Sequence, residues 1–142
     1  MVQNGRSRSV GNVKFGAPVN LRIAVADSVT AARTSLRQVV EGPLGWQVVG
    51  EAADGFEAVR VARATAADVL LVECTIGGLP LSDIRALLAS SHTVVVGLLD
   101  RPEQHAAQTG PSTLKTVPAD ALRTRILAAV EERWHLGGVV GT

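Results

Sequence analysis

Aromatic side chains are almost missing from this chain: two Trp, two Phe and no Tyr stand among 142 residues. A core must therefore be built from Val, Leu, Ile and Ala, and recognition of single-stranded nucleic acid by stacking on aromatic platforms is not expected. There is one cysteine, Cys74, which excludes an intramolecular disulfide and a cysteine-based metal cluster. Cys74 itself reads as a small core hydrophobe. No run approaches the roughly 18 apolar residues of a membrane span, and the N-terminal residues carry no apolar core of a signal peptide. The expected location is the cytoplasm. A clustered basic charge is missing too. The net charge is +1, and Arg6, Arg8, Lys14 and Arg22 give the first 22 residues a positive balance that the rest of the chain offsets. A near-neutral body argues against direct nucleic-acid binding, which needs a concentrated basic face.

What is present is a globular composition, 46% hydrophobic and 19% charged, in a length suited to one domain. Residues 1–20, rich in Gly, Ser, Asn and Arg, have no hydrophobic period and are expected to be a flexible basic leader. Residues 21–136 form the expected domain, and residues 137–142, rich in glycine, a tail. Within the domain, short apolar runs alternate with helical periods. Strands are predicted at 22–27, 46–52, 69–73, 93–98 and 112–116. Helices are predicted between them. The first has Val29, Ala32, Leu36, Val39 and Val40 on one face, the second Phe56, Val59 and Ala62, and the third Ile84, Leu87 and Leu88 after a cap at Ser82-Asp83. The last, entered through Pro118, carries Leu122, Ile126, Ala129, Val130 and Trp134. The polar segment 101–110 predicts a short or irregular fourth helix. Such alternation implies βαβ units and a parallel sheet covered on both faces.

The most informative stretch is Asp68–Thr75, where an apolar run ends in Glu73. A strand buried on both faces reads as such a run, and ligands of open parallel sheets bind at the carboxyl ends of the strands. No nucleophile–base pair or phosphate-cradling glycine loop accompanies it, so an enzyme is not expected. The three histidines, His92, His105 and His135, are too scattered to suggest a metal site.

Four pieces in order carry a resemblance: the strand Arg22–Asp27 with Arg33, Leu36 and Arg37; Val48–Ala58; Asp68–Glu73; and Leu114-Lys115 with Pro118. Together they resemble the receiver domain of bacterial response regulators, most of all the subfamily that joins a receiver to a helix-turn-helix domain. The resemblance implies a flavodoxin-like (βα)5 fold, a doubly wound five-stranded parallel sheet of strand order 2-1-3-4-5. It also implies a site in which an acidic pair and an aspartate hold Mg²⁺, a lysine meets the phosphoryl group, and a hydroxyl and an aromatic residue switch. Carried onto this chain, Asp27 and Lys115 are kept. Ser28 stands in the second place of the acidic pair, and Glu73 replaces the phosphoacceptor. The hydroxyl position falls on Gly97, or on Leu98 one residue later, and the aromatic position on Ser112. A missing carboxylate weakens Mg²⁺ binding, so no cofactor is expected. A nucleophile displaced by about 1 Å costs on the order of 100-fold in rate.

These departures predict a phosphorylation-independent receiver-like module that acts through protein contacts, as a homodimer or with another protein. The apolar fourth strand, Val94–Val96 with Leu98 and Leu99, is expected to contribute to that contact face. Two alternatives stay open: the regulatory part of a transcription regulator whose DNA-binding domain lies elsewhere, and a pseudo-receiver that senses a small molecule in the phosphate pocket. Glu73 is expected either to form an ion pair with Lys115, with Asp27 as a neighbouring like charge, or to be solvated at the strand end. In the first case one acid should have a raised pKa.

Overall fold

A computed structural model describes residues 20–42, 45–102, 104 and 110–141, with side chains up to Trp134. The first strand, β1, spans Arg22–Ala26, and α1 spans Thr30–Val40. They are followed by β2 (Gln47–Ala52), α2 (Gly55–Thr65), β3 (Val69–Glu73) and α3 (Leu81–Leu88). β4 (Val94–Leu99), β5 (Ser112–Leu114) and α4 (Ala119–Gly141) complete the order. The five strands form one parallel sheet in the order β2-β1-β3-β4-β5, as the resemblance implies. The leader and the fourth helix predicted at 101–110 lie largely outside the described residues. α4 continues through Gly141, so the glycine-rich stretch read as a tail is helical backbone.

The alternation of strand side chains divides the core into two layers. One face carries Ile23, Val25, Val69, Leu71, Val96 and Leu98 against Leu36 and Val40 of α1 and Leu122, Ile126 and Val130 of α4. The other carries Ala24, Ala26, Leu70, Val72 and Val95 against Ala58, Val59 and Ala62 of α2 and Ile84 and Leu88 of α3. Full burial of a single Ile or Leu such as Ile84 contributes about 1.5–3 kcal/mol. β3 is buried along its whole length, the arrangement its apolar run demands.

Local signals set the ends of the elements. Asp54 caps α2 by accepting from the Glu57 N–H at 2.8 Å, while Glu57 Oε1 accepts from the Ala53 N–H at 2.8 Å. α3 starts differently from expectation: its N-cap is Pro80, and neither Ser82 nor Asp83 caps it. Three side chains assigned to buried faces are exposed: Val29, Phe56 and Leu87. Val29 is the N-cap of α1 and precedes its packed turns. Phe56, in the first turn of α2, lies over the loop at Gly78 and not over the sheet. Leu87 is one step round α3 from the stripe of Leu81, Ile84 and Leu88 that meets the core. The side chains of β4 expected to contribute to a contact face, Val94, Val95, Val96, Leu98 and Leu99, are all buried.

Candidate functional site

Three strands deliver acids to the same end of the sheet. Asp27 follows β1, Glu73 ends β3, and Asp100 follows β4. Lys115 follows β5, its N–H donating to the Leu99 carbonyl at 2.8 Å. The Lys115 ammonium lies 3.1 Å from Asp27 Oδ2 and 3.5 Å from Asp100 Oδ1.

Asp27 is wholly buried and tightly placed. Its Oδ1 accepts from the Val29 N–H at 2.9 Å. Its backbone N–H donates to Ala52, and its carbonyl accepts from Arg33 Nη1 at 2.6 Å. Arg33 in turn pairs with Glu51 at 3.2 Å, which ties α1 to both β1 and β2 beside the site. Oδ2 has no hydrogen bond of regular geometry, so the ammonium of Lys115 is what compensates its charge.

Glu73 does not form the expected ion pair. Among the described residues its carboxylate has no cation within 4.0 Å, and Oε2 accepts instead from the Thr75 hydroxyl. Glu73 is neither solvated nor salt-bridged; it is 7% exposed. Burial, then the charges of Asp27 and Asp100, raises its pKa above the ordinary glutamate value against the opposing pull of Lys115 and Thr75. The shift arises first of all from burial and not from the ion pair for which a raised acid was expected. For Lys115, burial lowers the pKa, but Asp27, then Asp100 and Glu73, outweigh it and the net shift is upward. A cation stands among three carboxylates and favours Asp27.

The remaining positions fall as follows. Ser28 is exposed beside Asp27. In the β3–β4 ladder Glu73 pairs with Leu98, and Gly97 with Val72. Leu98 therefore stands opposite Glu73 on the neighbouring strand, and neither it nor Gly97 carries a hydroxyl. Ser112 is buried and pairs with Gly97 on β5. Cys74 is half-buried, and burial first of all raises its thiol pKa. Sequence reasoning missed Asp100 and Thr75. Asp100 repeats the signal that marked Asp27 and Glu73, an acid directly after an apolar strand. Thr75 stands two residues after Glu73, the reach of a side chain bonding across a tight turn. No cluster of three metal-ligating side chains occurs among the described residues.

Comparison with known proteins agrees with this geometry. The receiver domain of the putative response regulator NarL from Mycobacterium tuberculosis superposes with a TM-score of 0.66 at 26% identity, over 81% of this chain and 96% of that one. The receiver domain of a modulated diguanylate cyclase from Desulfovibrio desulfuricans G20 superposes with a TM-score of 0.69 at 26% identity, over 80% and 95%. In sequence, the chain is 30% identical over 122 residues to protein-glutamate methylesterase/protein-glutamine glutaminase 5 of Myxococcus xanthus, covering 83% of this chain. It spans 34% of that protein's length. No family model matches. The chain is built as a receiver domain of the response-regulator type.

Proposed function

We propose that this chain is a receiver-like signalling module that works by protein–protein contact and does not accept a phosphoryl group. The observation that carries the reading is the state of the acidic cluster. Lys115, whose counterpart in receivers meets the incoming phosphate, is held by Asp27. Glu73, at the phosphoacceptor place, is buried and turned to the Thr75 hydroxyl, and burial raises its pKa above the ordinary glutamate value. A carboxylate one methylene longer than aspartate and bonded to a neighbouring hydroxyl is displaced from the position a phosphoryl group would require. With Ser28 in place of an acid, a divalent cation finds fewer hard oxygen ligands. Leu98 opposite Glu73 brings no hydroxyl to follow a phosphate. The ion pair then keeps the strand ends in one arrangement, and signalling rests on partner binding, with another protein or a second copy of this chain, at surfaces round the sheet.

Acetyl phosphate or beryllofluoride with Mg²⁺ tests this in an amide NMR titration. The expected outcome is no saturable shift at Glu73, Lys115 or Leu98. A saturable response centred there would overturn the proposal.

The Myxococcus xanthus relative, of whose length this chain spans 34%, favours a second reading in which this chain is the regulatory part of a larger assembly. A DNA-binding domain elsewhere is the form the helix-turn-helix resemblance favours. Specific DNA retention by a reconstituted assembly, absent for this chain alone, would distinguish it.

A further inference from the structure

The short last strand creates a second site, at the opposite end of β4 from the acidic cluster. β5 pairs with Gly97, Leu98 and Leu99 alone. On that same edge, the carbonyls of Thr93 and Val95 run on past the end of β5. Two arginines occupy the open edge. Arg85 of α3 donates from Nη1 to the Val95 carbonyl and from Nη2 to the Pro111 carbonyl, both at 2.7 Å. Arg133 of α4 donates to the carbonyls of Thr93 at 3.3 Å, Ala89 at 3.1 Å and Ser91 at 2.5 Å. Neither arginine has a carboxylate within 4.0 Å among the described residues.

The two line one cavity of about 330 Å³, together with Leu88, Val94, Val95, Pro111 and Ala129. Arginine is among the side chains least often buried without an anionic partner. Carbonyls satisfy some of its donors but do not neutralise its charge, and each guanidinium has five donors. Among the described lining residues the single acid is Glu132, which is exposed. The walls are otherwise mostly apolar, so the cavity combines a dry body with cationic groups at its edge, the pattern of a small-ligand pocket.

We propose that this cavity binds a small organic oxyanion: a carboxylate or phosphate on a short apolar body, with Arg85 and Arg133 taking the oxyanion and Leu88, Val94 and Ala129 the body. The site does not depend on the acidic cluster. Its floor, Thr93–Val95, lies three or more residues along β4 from Leu98, roughly 10 Å at strand rise. Occupancy would add to the bridge that Arg133 of α4 already makes to the Ala89 and Thr93 carbonyls.

The test is an amide NMR titration of the full chain with hexanoate, phenyl phosphate and, as the neutral control, hexanol. The expected result is saturable shifts at Leu88, Thr93, Val94 and Val95 with one or both anions, at a Kd on the order of 1 mM, and binding by hexanol at least about tenfold weaker. The two anion arms decide between carboxylate and phosphate. Arg133→Gln is expected to weaken the anion about tenfold, and Ala129→Leu, which narrows the cavity and leaves both arginines in place, to abolish it. No saturation by either anion, equal binding of hexanol, or shifts centred on Lys115 would overturn the proposal. These readings come from the wild-type chain and hold even if a variant fails to fold.

Discussion

Lys115 can reach two of the three acids around it, and its choice of Asp27 has measurable consequences. Replacing it with Met leaves Asp27, wholly buried, without a compensating cation. Loss of one partner of a buried pair costs about 3–5 kcal/mol; Lys115 keeps 26% of its side chain exposed, so about 2–3 kcal/mol is expected by urea unfolding. Because the lysine's pKa is raised on folding, its contribution is fully present below the ordinary lysine value. It is lost only as pH rises through the higher folded value, so the wild-type advantage over Lys115→Met should be flat across neutral pH and shrink in strong alkali. Glu73 is an acid whose pKa is likewise raised. Its favourable contribution is complete below the ordinary glutamate value and is lost as pH rises through the folded value. Glu73→Gln mimics the protonated form, keeps an acceptor for Thr75, and should be more stable than wild type at pH 7, by up to about 1–2 kcal/mol. The gain should vanish near pH 4. An equal gain at both pH values would show that charge at Glu73 is not what costs stability. The positions of these residues were readable, since an acid directly after an apolar strand identifies a strand end. The pairing was not, because it depends on which of two neighbouring carboxylates a flexible ammonium meets and on a hydroxyl two residues away.

Among the elements, the strands were legible because β1, β3 and β4 are apolar on both faces and the sheet covers them with helices. The helices were legible in number but less so in orientation. A period of 3.6 residues marks Phe56 and Leu87 as inward, yet the first turn of α2 overhangs a loop and the eight residues of α3 present a narrow stripe. Loop contacts carry no periodic signal at all. Gly55 at the start of α2 is the clearest case: a Cβ there would lie 2.6 Å from the Leu79 carbonyl oxygen and 2.7 Å from its backbone nitrogen. The Gly55 N–H also donates to the Gly77 carbonyl at 2.8 Å. The contact atoms are backbone and cannot swing aside, so Gly55→Ala should destabilise the chain by about 1–3 kcal/mol. Thermal unfolding checks this. A change within about 0.5 kcal/mol, the level of an unremarkable surface substitution, would mean that the 77–79 loop yields freely.

For the molecule as a whole, the sheet has two outer strands, β2 and β5, and β5 is only three residues long. Beyond it, β4 itself becomes the boundary. A row of unsatisfied carbonyls on an exposed strand invites another chain to add a strand of its own. Here the invitation is withdrawn by Arg85 and Arg133, which fill the carbonyls with guanidinium groups and place positive charge where an incoming backbone would run. The two side chains thus have a colloidal role as well as a local one. Replacing both with Met should yield a chain that grows in light scattering with concentration and gains strand signal in its infrared spectrum, whereas Lys at both positions should stay at the wild-type size. If the double Met variant scatters like the wild type, the open end of β4 is protected by something other than charge. On this view the truncated fifth strand is the origin of a hazard, and two arginines far apart in sequence keep separate molecules from joining their sheets.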